Sequence, residues 1–275
     1  MKRGIDVSIF QREIDWTDVR SSGVEFAMIK ATQGRSEQSP ATYLFRDSYF
    51  VANMSNAYAC GVRCGVYHYL TATTVAGAKE EAEYFLSVIA PYKKFIKLYA
   101  AVDVESKYLP CDKSLLTQIV NVFCATVKNA GFTPAVYTNP DFHKNRLNDI
   151  SSWNLWLALW RNKNNIPSLE KYPNMKIWQY GSESVNGIVG DVDANYMIVD
   201  ETEKKPMEEK KLDNQTAEWS EKAVKWCKEN GIMIGDENGD LMLHQNVTRE
   251  QMAVMLHRLY NLTIDKIVAA LNKLN

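Results

Sequence analysis

The chain has 275 residues, 46% hydrophobic and 24% charged, with a formal net charge of −1. That length holds one large domain and a small one. The near-neutral charge gives no global attraction to nucleic acid or to an anionic membrane surface. The opening residues, Met1-Lys2-Arg3-Gly4-Ile5-Asp6, carry no apolar core of signal-peptide length, and no stretch is long and apolar enough to span a bilayer. The expectation is synthesis in the cytoplasm without a signal peptide. Five cysteines, odd in number and scattered, do not read as a disulfide framework. Core thiols are the default, with Cys111 in a loop as the exposed one.

In chain order, residues 5–8 form a short strand ending beside an acid, and residues 24–32 a second strand. Residues 47–60 carry apolar positions at helical spacing and stop at Gly61. Residues 61–69 are a third strand and 75–89 an Ala- and Glu-rich helix. Residues 95–102 are a continuous run of β-formers, as in a sheet covered on both faces. A long amphipathic helix follows over 114–130, capped by Asp112 or Ser114 and stopped by Gly131. Strands at 134–138, 155–160, 175–180 and 188–193 complete the set, with a short helix at 141–147. Strands alternating with helices in the first half predict an α/β fold, a β/α barrel; the second half is short of helices, so the barrel is irregular and TIM-like.

The chemistry collects at strand ends. Val102-Asp103-Val104-Glu105 places two carboxylates one residue apart at a strand tip, where a period of two gives them one face. Two like charges that close cannot both ionise cheaply, so one pKa is pushed up. A protonated carboxyl beside a carboxylate is what cleavage of a glycosidic bond needs. A pair of solvated acids is the plain alternative. Asp6, Tyr67, His68, Tyr69, Tyr137, Trp160, Trp178, Asp191 and Asp193 also fall at strand ends, where a barrel of parallel strands puts its site. Sugars want carboxylates for their hydroxyls and flat aromatic faces to stack on. His68 reads equally as a cleft residue or as a satisfied core histidine, and Trp153 and Trp156 read as core.

Gly4-Ile5-Asp6-Val7-Ser8, Gly65-Val66-Tyr67-His68-Tyr69, Val102-Asp103-Val104-Glu105, Trp178-Gln179-Tyr180 and Gly187-Ile188-Val189-Gly190-Asp191-Val192-Asp193, in that order, resemble glycoside hydrolase family 25, the muramidases of phage endolysins and bacterial autolysins. The resemblance implies a barrel over residues 1–199. It would cut the β-1,4 bond between N-acetylmuramic acid and N-acetylglucosamine in peptidoglycan. Carried over by position, Glu105 is the general acid, Asp103 steers or stabilises the transition state, and Asp6 and Asp193 line the site. Tyr67, Tyr69, Tyr137, Trp160, Trp178 and Asp191 are the candidate substrate contacts. No metal or other cofactor is implied. A substrate-assisted, retaining route is the expectation, with the sugar's own N-acetyl group attacking.

Residues 200–214 are mostly charged and read as a solvated linker. Residues 215–275 form a small, mainly helical domain. Trp219, Ala223, Trp226 and Cys227 share a helix face, and Thr248 with Gln251 stands at capping-box spacing before Met252, Met255, Leu256 and Leu259. The acids of the 235–240 turn lack the spacing of a calcium loop. The run Trp219…Ala223…Gly231-Ile232…Gly235…Gly239…Val247-Thr248-Arg249-Glu250-Gln251-Met252-Ala253 resembles an S-layer-homology repeat. This implies a partner among Gram-positive wall polymers, with Arg249 as the candidate contact to an acidic wall group. A lone unit of this size buries little core, so the expectation is that it oligomerises or binds something other than the family's usual anionic polymer. The combined expectation is an endolysin-type hydrolase that acts at the wall after release. A bacterial autolysin of the same fold, or a barrel that binds wall sugars without cutting, is the alternative.

Overall fold

The computed structural model describes residues 1–34, 44–198, 216–235, 240–241, 243 and 247–271. The chain divides into two compact units, Met1–Glu203 and Lys204–Asn275.

The first unit carries strands β1 (Lys2–Val7), β2 (Phe26–Gln33), β3 (Phe45–Arg46), β4 (Arg63–Tyr69), β5 (Ile96–Asp103), β6 (Pro134–Thr138), β7 (Asn154–Ala158), β8 (Met175–Ser184) and β9 (Asp191–Met197). Their order is β1-β9-β8-β7-β6-β5-β4-β2-β3, and β1 also pairs with β2. That last pairing closes a barrel, with the short β3 hanging from β2. Helices α1 (Trp16–Ser21), α2 (Phe50–Ala59), α3 (Val75–Ile89) and α4 (Lys113–Asn129) cover the outside of the first half. The second half has only a π-helical turn, Phe142–Arg146, before β7.

Alternation along each strand sorts the side chains. Ala27, Ile29 and Ala31 of β2 face outward and pack with Phe85, Ile119 and Phe123 of the helices. Phe26 and Met28 face inward and meet Tyr99, Trp156, Ile177 and Met197 in a separate interior core. Burial of each such large side chain stabilises by about 1.5–3 kcal/mol. Two glycines make room inside: a Cβ at Gly4 would strike the Phe26 ring, and one at Gly65 would strike the Met28 sulfur. The lower barrel is thus plugged by apolar side chains. Caps fix the helix starts: Asp112 Oδ1 accepts from the Leu115 N–H at 2.7 Å, and Thr74 Oγ1 from the Gly77 N–H at 3.1 Å.

The structure corrects several expectations. The final strand begins at Asp191 rather than 188 and runs antiparallel to both β8 and β1. Gly187 and Gly190, at φ 92° and 85°, turn the chain before it, so the strand starts three residues late. The barrel is therefore not all parallel, because strand direction leaves no mark on a period of two. β5 ends at Asp103, which leaves Glu105 on the following loop. Helix α2 starts at Phe50 because the Asp47 carboxylate is already engaged, accepting from the N–H groups of Tyr49 and Ile9 at 2.9 Å. Helix α1, β3 and a 3-10 turn at Ile9–Gln11 were not expected.

In the second unit, α5 (Glu221–Glu229) ends at Asn230, ahead of Gly231 at φ 67°. Helix α6 (Arg249–Leu271) opens with the expected capping box: Gln251 N–H donates to Thr248 Oγ1 at 3.1 Å, and Thr248 N–H to Gln251 Oε1 at 2.8 Å. The expected linker lies outside the described residues, as does most of the 235–240 turn. Among the described residues no helix is long and apolar enough to cross a membrane.

Candidate active site

The C-terminal ends of the parallel strands and the start of antiparallel β9 meet at one mouth of the barrel. Register makes this concrete: Asp6 of β1 stands directly opposite Asp193 of β9, and Tyr69 of β4 beside Asp103 of β5. A cavity of about 200 Å³ opens there, lined by Asp6, Asp103, Glu105 and Asp193 together with Lys30, Tyr67, Tyr69 and Tyr137. A groove of about 510 Å³ continues over Glu105 and Tyr137 to Asn139, Trp160 and Gln179.

A hydrogen-bonded lattice holds the acids. Gln179 Nε2 donates to Asp6 Oδ2 at 3.0 Å, and Asn195 Nδ2 donates to the same oxygen at 2.8 Å. Asn195 in turn accepts from Trp156 Nε1 at 2.8 Å. Gln179 Oε1 accepts from Trp160 Nε1 at 2.9 Å and from the Tyr137 hydroxyl at 3.1 Å. Every donor comes from a strand or its immediate end, so the Asp6 carboxyl is fixed by the barrel rather than by loops.

Four carboxyls at one barrel mouth cannot all ionise cheaply. Loss of hydration, then the charge of Asp193, pushes Asp6 up to about 8. Asp103, 5% exposed, is raised well above the usual carboxylate range by burial first and by Glu105 second. Its Oδ1 is buried without a hydrogen-bond partner among the described residues. Glu105 reaches solvent, yet the cleft walls and then the charge of Asp193 raise it as well. Burial also raises Asp193. Tyr67 and Tyr137 are pushed above the usual phenol range by burial and the surrounding acids, so both stay neutral donors. The cleft therefore presents proton-bearing carboxyls near neutral pH on a wall of aromatic rings, an arrangement suited to acid catalysis on a sugar. Among the described residues no group of three or more His, Cys, Asp or Glu converges as a metal's ligand set would.

The profile of Glycosyl hydrolases family 25 matches residues 5–188. The chain belongs to that family. Residues 213–253 match the S-layer homology domain. The family 25 chain is 32% identical over 209 residues to Lysozyme M1 of Streptomyces globisporus, covering 70% of this chain and 66% of that protein. It is 33% identical over 194 residues to the autolytic lysozyme of Clostridium acetobutylicum, covering 70% of this chain and 54% of that protein. It thus spans less than two thirds of either relative. The crystal structure of the bacterial lysozyme from Streptomyces coelicolor superposes with a TM-score of 0.58 at 27% identity, covering 72% of this chain and 92% of that one.

Within this family 25 barrel, Asp6, Asp103, Glu105, Asp193, Tyr67, Tyr69 and Tyr137 all line the cavity, and Trp160 stands at the groove rim, 59% exposed. Two expected contacts do not. Trp178 is fully buried on the outer side of β8, donating to the Leu159 carbonyl at 2.8 Å, because its neighbour Gln179 takes the inward position. Asp191 is exposed, paired with Ser184 at the far end of the β8–β9 ladder and outside the residues lining the cavity. His68 is a core histidine: Thr32 Oγ1 lies 2.7 Å from Nδ1 and Glu81 Oε2 2.8 Å from Nε2. Arg249 is exposed at the first residue of α6.

Sequence reasoning missed Lys30, Gln179, Asn195 and Phe10. The signal for Lys30 and Gln179 was a polar residue inside an otherwise apolar strand. Phe10 is 82% exposed and lines the cavity from the 3-10 turn after β1. That turn is held by a Ser8–Gln11 capping box and by Arg12, the lone non-glycine at positive φ (54°) among the described residues.

Proposed function

We propose that the chain is a peptidoglycan hydrolase, an N-acetylmuramidase that cleaves the β-1,4 bond between N-acetylmuramic acid and N-acetylglucosamine. The observation that carries this reading is the cluster of Asp6, Asp103, Glu105 and Asp193, with raised carboxyls, at the mouth of a family 25 barrel. Glu105, the most exposed of the four, donates its proton to the glycosidic oxygen as the bond breaks. Asp103 lies deeper and orients the N-acetyl group on the sugar whose anomeric carbon is attacked, so the route is retaining. Asp6, held neutral beside Asp193 across the β1–β9 pair, limits the negative charge under the sugar. Tyr67, Tyr69, Tyr137, Phe10 and Trp160 supply rings and hydroxyls along the groove. A non-cutting sugar binder would have no use for a proton donor in this position.

The C-terminal unit is the wall anchor, its support being the S-layer homology match and the exposed Arg249. Leu256, Tyr260, Ile264 and Ile267 are all exposed, at spacings of four, four and three along α6. That stripe fits a second copy of the same helix, and sedimentation should show a dimer or larger species.

The proposed setting is a phage endolysin, made in the cytoplasm and acting on the wall after release. A bacterial autolysin is the second reading, supported by the likeness to the clostridial autolytic lysozyme. Lysis of producing cells only when a membrane pore is supplied favours the former. The test of the chemistry is purified Gram-positive walls treated with wild type and Glu105→Gln, followed by turbidity and released reducing ends. Reducing muramic acid from wild type, with a loss of 10²-fold or more in the variant, is the expected result. Reducing glucosamine would reassign the bond. Binding without cleavage by either protein would make the chain a lectin-like binder.

A further inference from the structure

One wall of the acidic cavity is a turn rather than a strand. Ser8, Phe10 and Gln11 line it from the 3-10 turn that follows β1. The turn closes on itself. Ser8 Oγ accepts from the Phe10 N–H at 3.3 Å, and Gln11 Oε1 accepts from the Ser8 N–H at 2.9 Å. Arg12 ends it at φ 54°, a conformation that costs a non-glycine residue free energy and persists only where its surroundings enforce it. Ile9 and Phe10 are both exposed, so burial does little to hold the turn down. Among the described residues, the one hydrogen bond from Ile9–Arg12 to another part of the barrel runs from the Ile9 N–H to Asp47 Oδ2, at 2.9 Å.

Asp47 is placed as an anchor. It is 3% exposed and lies outside the residues lining the cavity. Its second oxygen, Oδ1, accepts from the Tyr49 N–H at 2.9 Å, just before α2. Its own N–H donates to the Ala31 carbonyl of β2 at 2.9 Å. One buried side chain thereby ties the rim turn to the start of α2 and to β2. Two N–H groups need two oxygens; an asparagine would offer one and turn an NH2 toward the other donor. The wall so held has a definite place. Glu105, Tyr137 and Asp193 line both the cavity and the groove that runs to Trp160. Phe10 and Gln11 line only the cavity and Trp160 only the groove, so the turn and Trp160 fall to either side of Glu105.

We propose that Asp47 is a positioning residue for the glycan: it fixes the Ser8–Arg12 turn as a rigid wall, and the sugars on the side of Glu105 away from Trp160 bind against that wall. This rests on the muramidase reading and adds what shapes half of the sugar site. A wall already fixed spares the sugar the cost of ordering it. Asp47 thus acts on substrate binding without touching the substrate.

The test is kcat and KM on soluble peptidoglycan glycan strands of eight sugars for wild type, Asp47→Asn, Phe10→Ala and the double variant, with pH profiles and thermal melting alongside. Asp47→Asn should raise KM about three- to tenfold and leave both limbs of the pH profile in place. On the Phe10→Ala background it should raise KM by less, because both changes spoil one wall. A lower Tm with KM unmoved would make Asp47 merely structural and overturn the proposal. So would losses in KM that simply multiply in the double variant. Limbs that move would overturn it too, since Asp47 would then act by its charge, which reaches Lys30 and Tyr67. Amide hydrogen exchange on Glu105→Gln, with and without the eight-sugar strand, needs no change at position 47. The Ile9 N–H should exchange slowly without sugar, and the Phe10 and Gln11 N–H groups should slow when the strand binds. A turn indifferent to the sugar overturns the proposal. A wild type that cuts no strand would instead sink the muramidase reading, while the exchange pattern still judges the turn.

Discussion

Asp6→Asn should make the protein more stable at neutral pH and less active. In the fold Asp6 releases its proton at about 8 instead of 3.8. Its folded pKa is raised, so the stability it contributes is complete below about pH 4 and is lost as pH rises through about 8. Between pH 5 and pH 7 the folded chain holds a proton that the unfolded chain has released. Each unit of pH there costs about 1.4 kcal/mol per proton, about 2.7 kcal/mol over two units. Asp193 shares the titration, so about 1–3 kcal/mol is the expected change attributable to position 6. The amide keeps a carbonyl oxygen to accept from Gln179 and Asn195, so the lattice survives. For a barrel of this size each kcal/mol is about 2–4 °C in Tm. Melting curves of both proteins at pH 5, 6, 7 and 8, followed by far-UV circular dichroism, would show the two lines diverging by roughly 3–10 °C between pH 5 and 7. Parallel lines would refute the claim that Asp6 is neutral in the fold.

Trp178→Ala should cost about 3–5 kcal/mol of stability and leave KM alone, since its ring fills the outer core. Trp160→Ala should do the opposite, raising KM several-fold with Tm nearly constant, because its ring is a rim surface with one bond to Gln179. His68→Phe leaves the Glu81 carboxylate buried with its imidazole partner gone and should destabilise by about 3–5 kcal/mol, measured by urea unfolding. Phe10→Ala should weaken binding of long glycan strands without changing kcat or Tm, and equal loss on short and long strands would argue against a stacking role.

Much of this molecule is written in alternation. The run Phe26-Ala27-Met28-Ile29 names a strand with two apolar faces, and the acids at 6, 103 and 193 mark the mouth ends of other strands of the barrel. The parity that places Gln179 inward also sends Trp178 outward, and an aromatic count at strand ends cannot see that distinction. Strand direction is hidden too: the pattern suits another parallel strand at residues 188–193 and puts Asp191 on one face with Asp193, whereas β9 runs antiparallel and Asp191 lies at its far end. Turn chemistry carried the correction: Gly187 and Gly190 bend the chain at positive φ and delay the strand. Partners distant in sequence, such as Asn195 for Asp6, arise from closure of the barrel and have no local signature.

That closure has a consequence for how the protein comes into being. β9 is wedged between the last parallel strand and the first, so until it inserts, β1 and β8 each present an unpaired edge. Asp6 and Asp193, 187 residues apart, meet only at that moment. A nascent chain that has not yet emitted residue 197 from the ribosome has neither a closed sheet nor Asp193 beside Asp6. The contacts that complete it span nearly the whole barrel, the kind that form slowly. Synthesis itself thus sets the hour at which the carboxyl-lined mouth exists, and a chain cut short inside β9 has an incomplete mouth and two open edges.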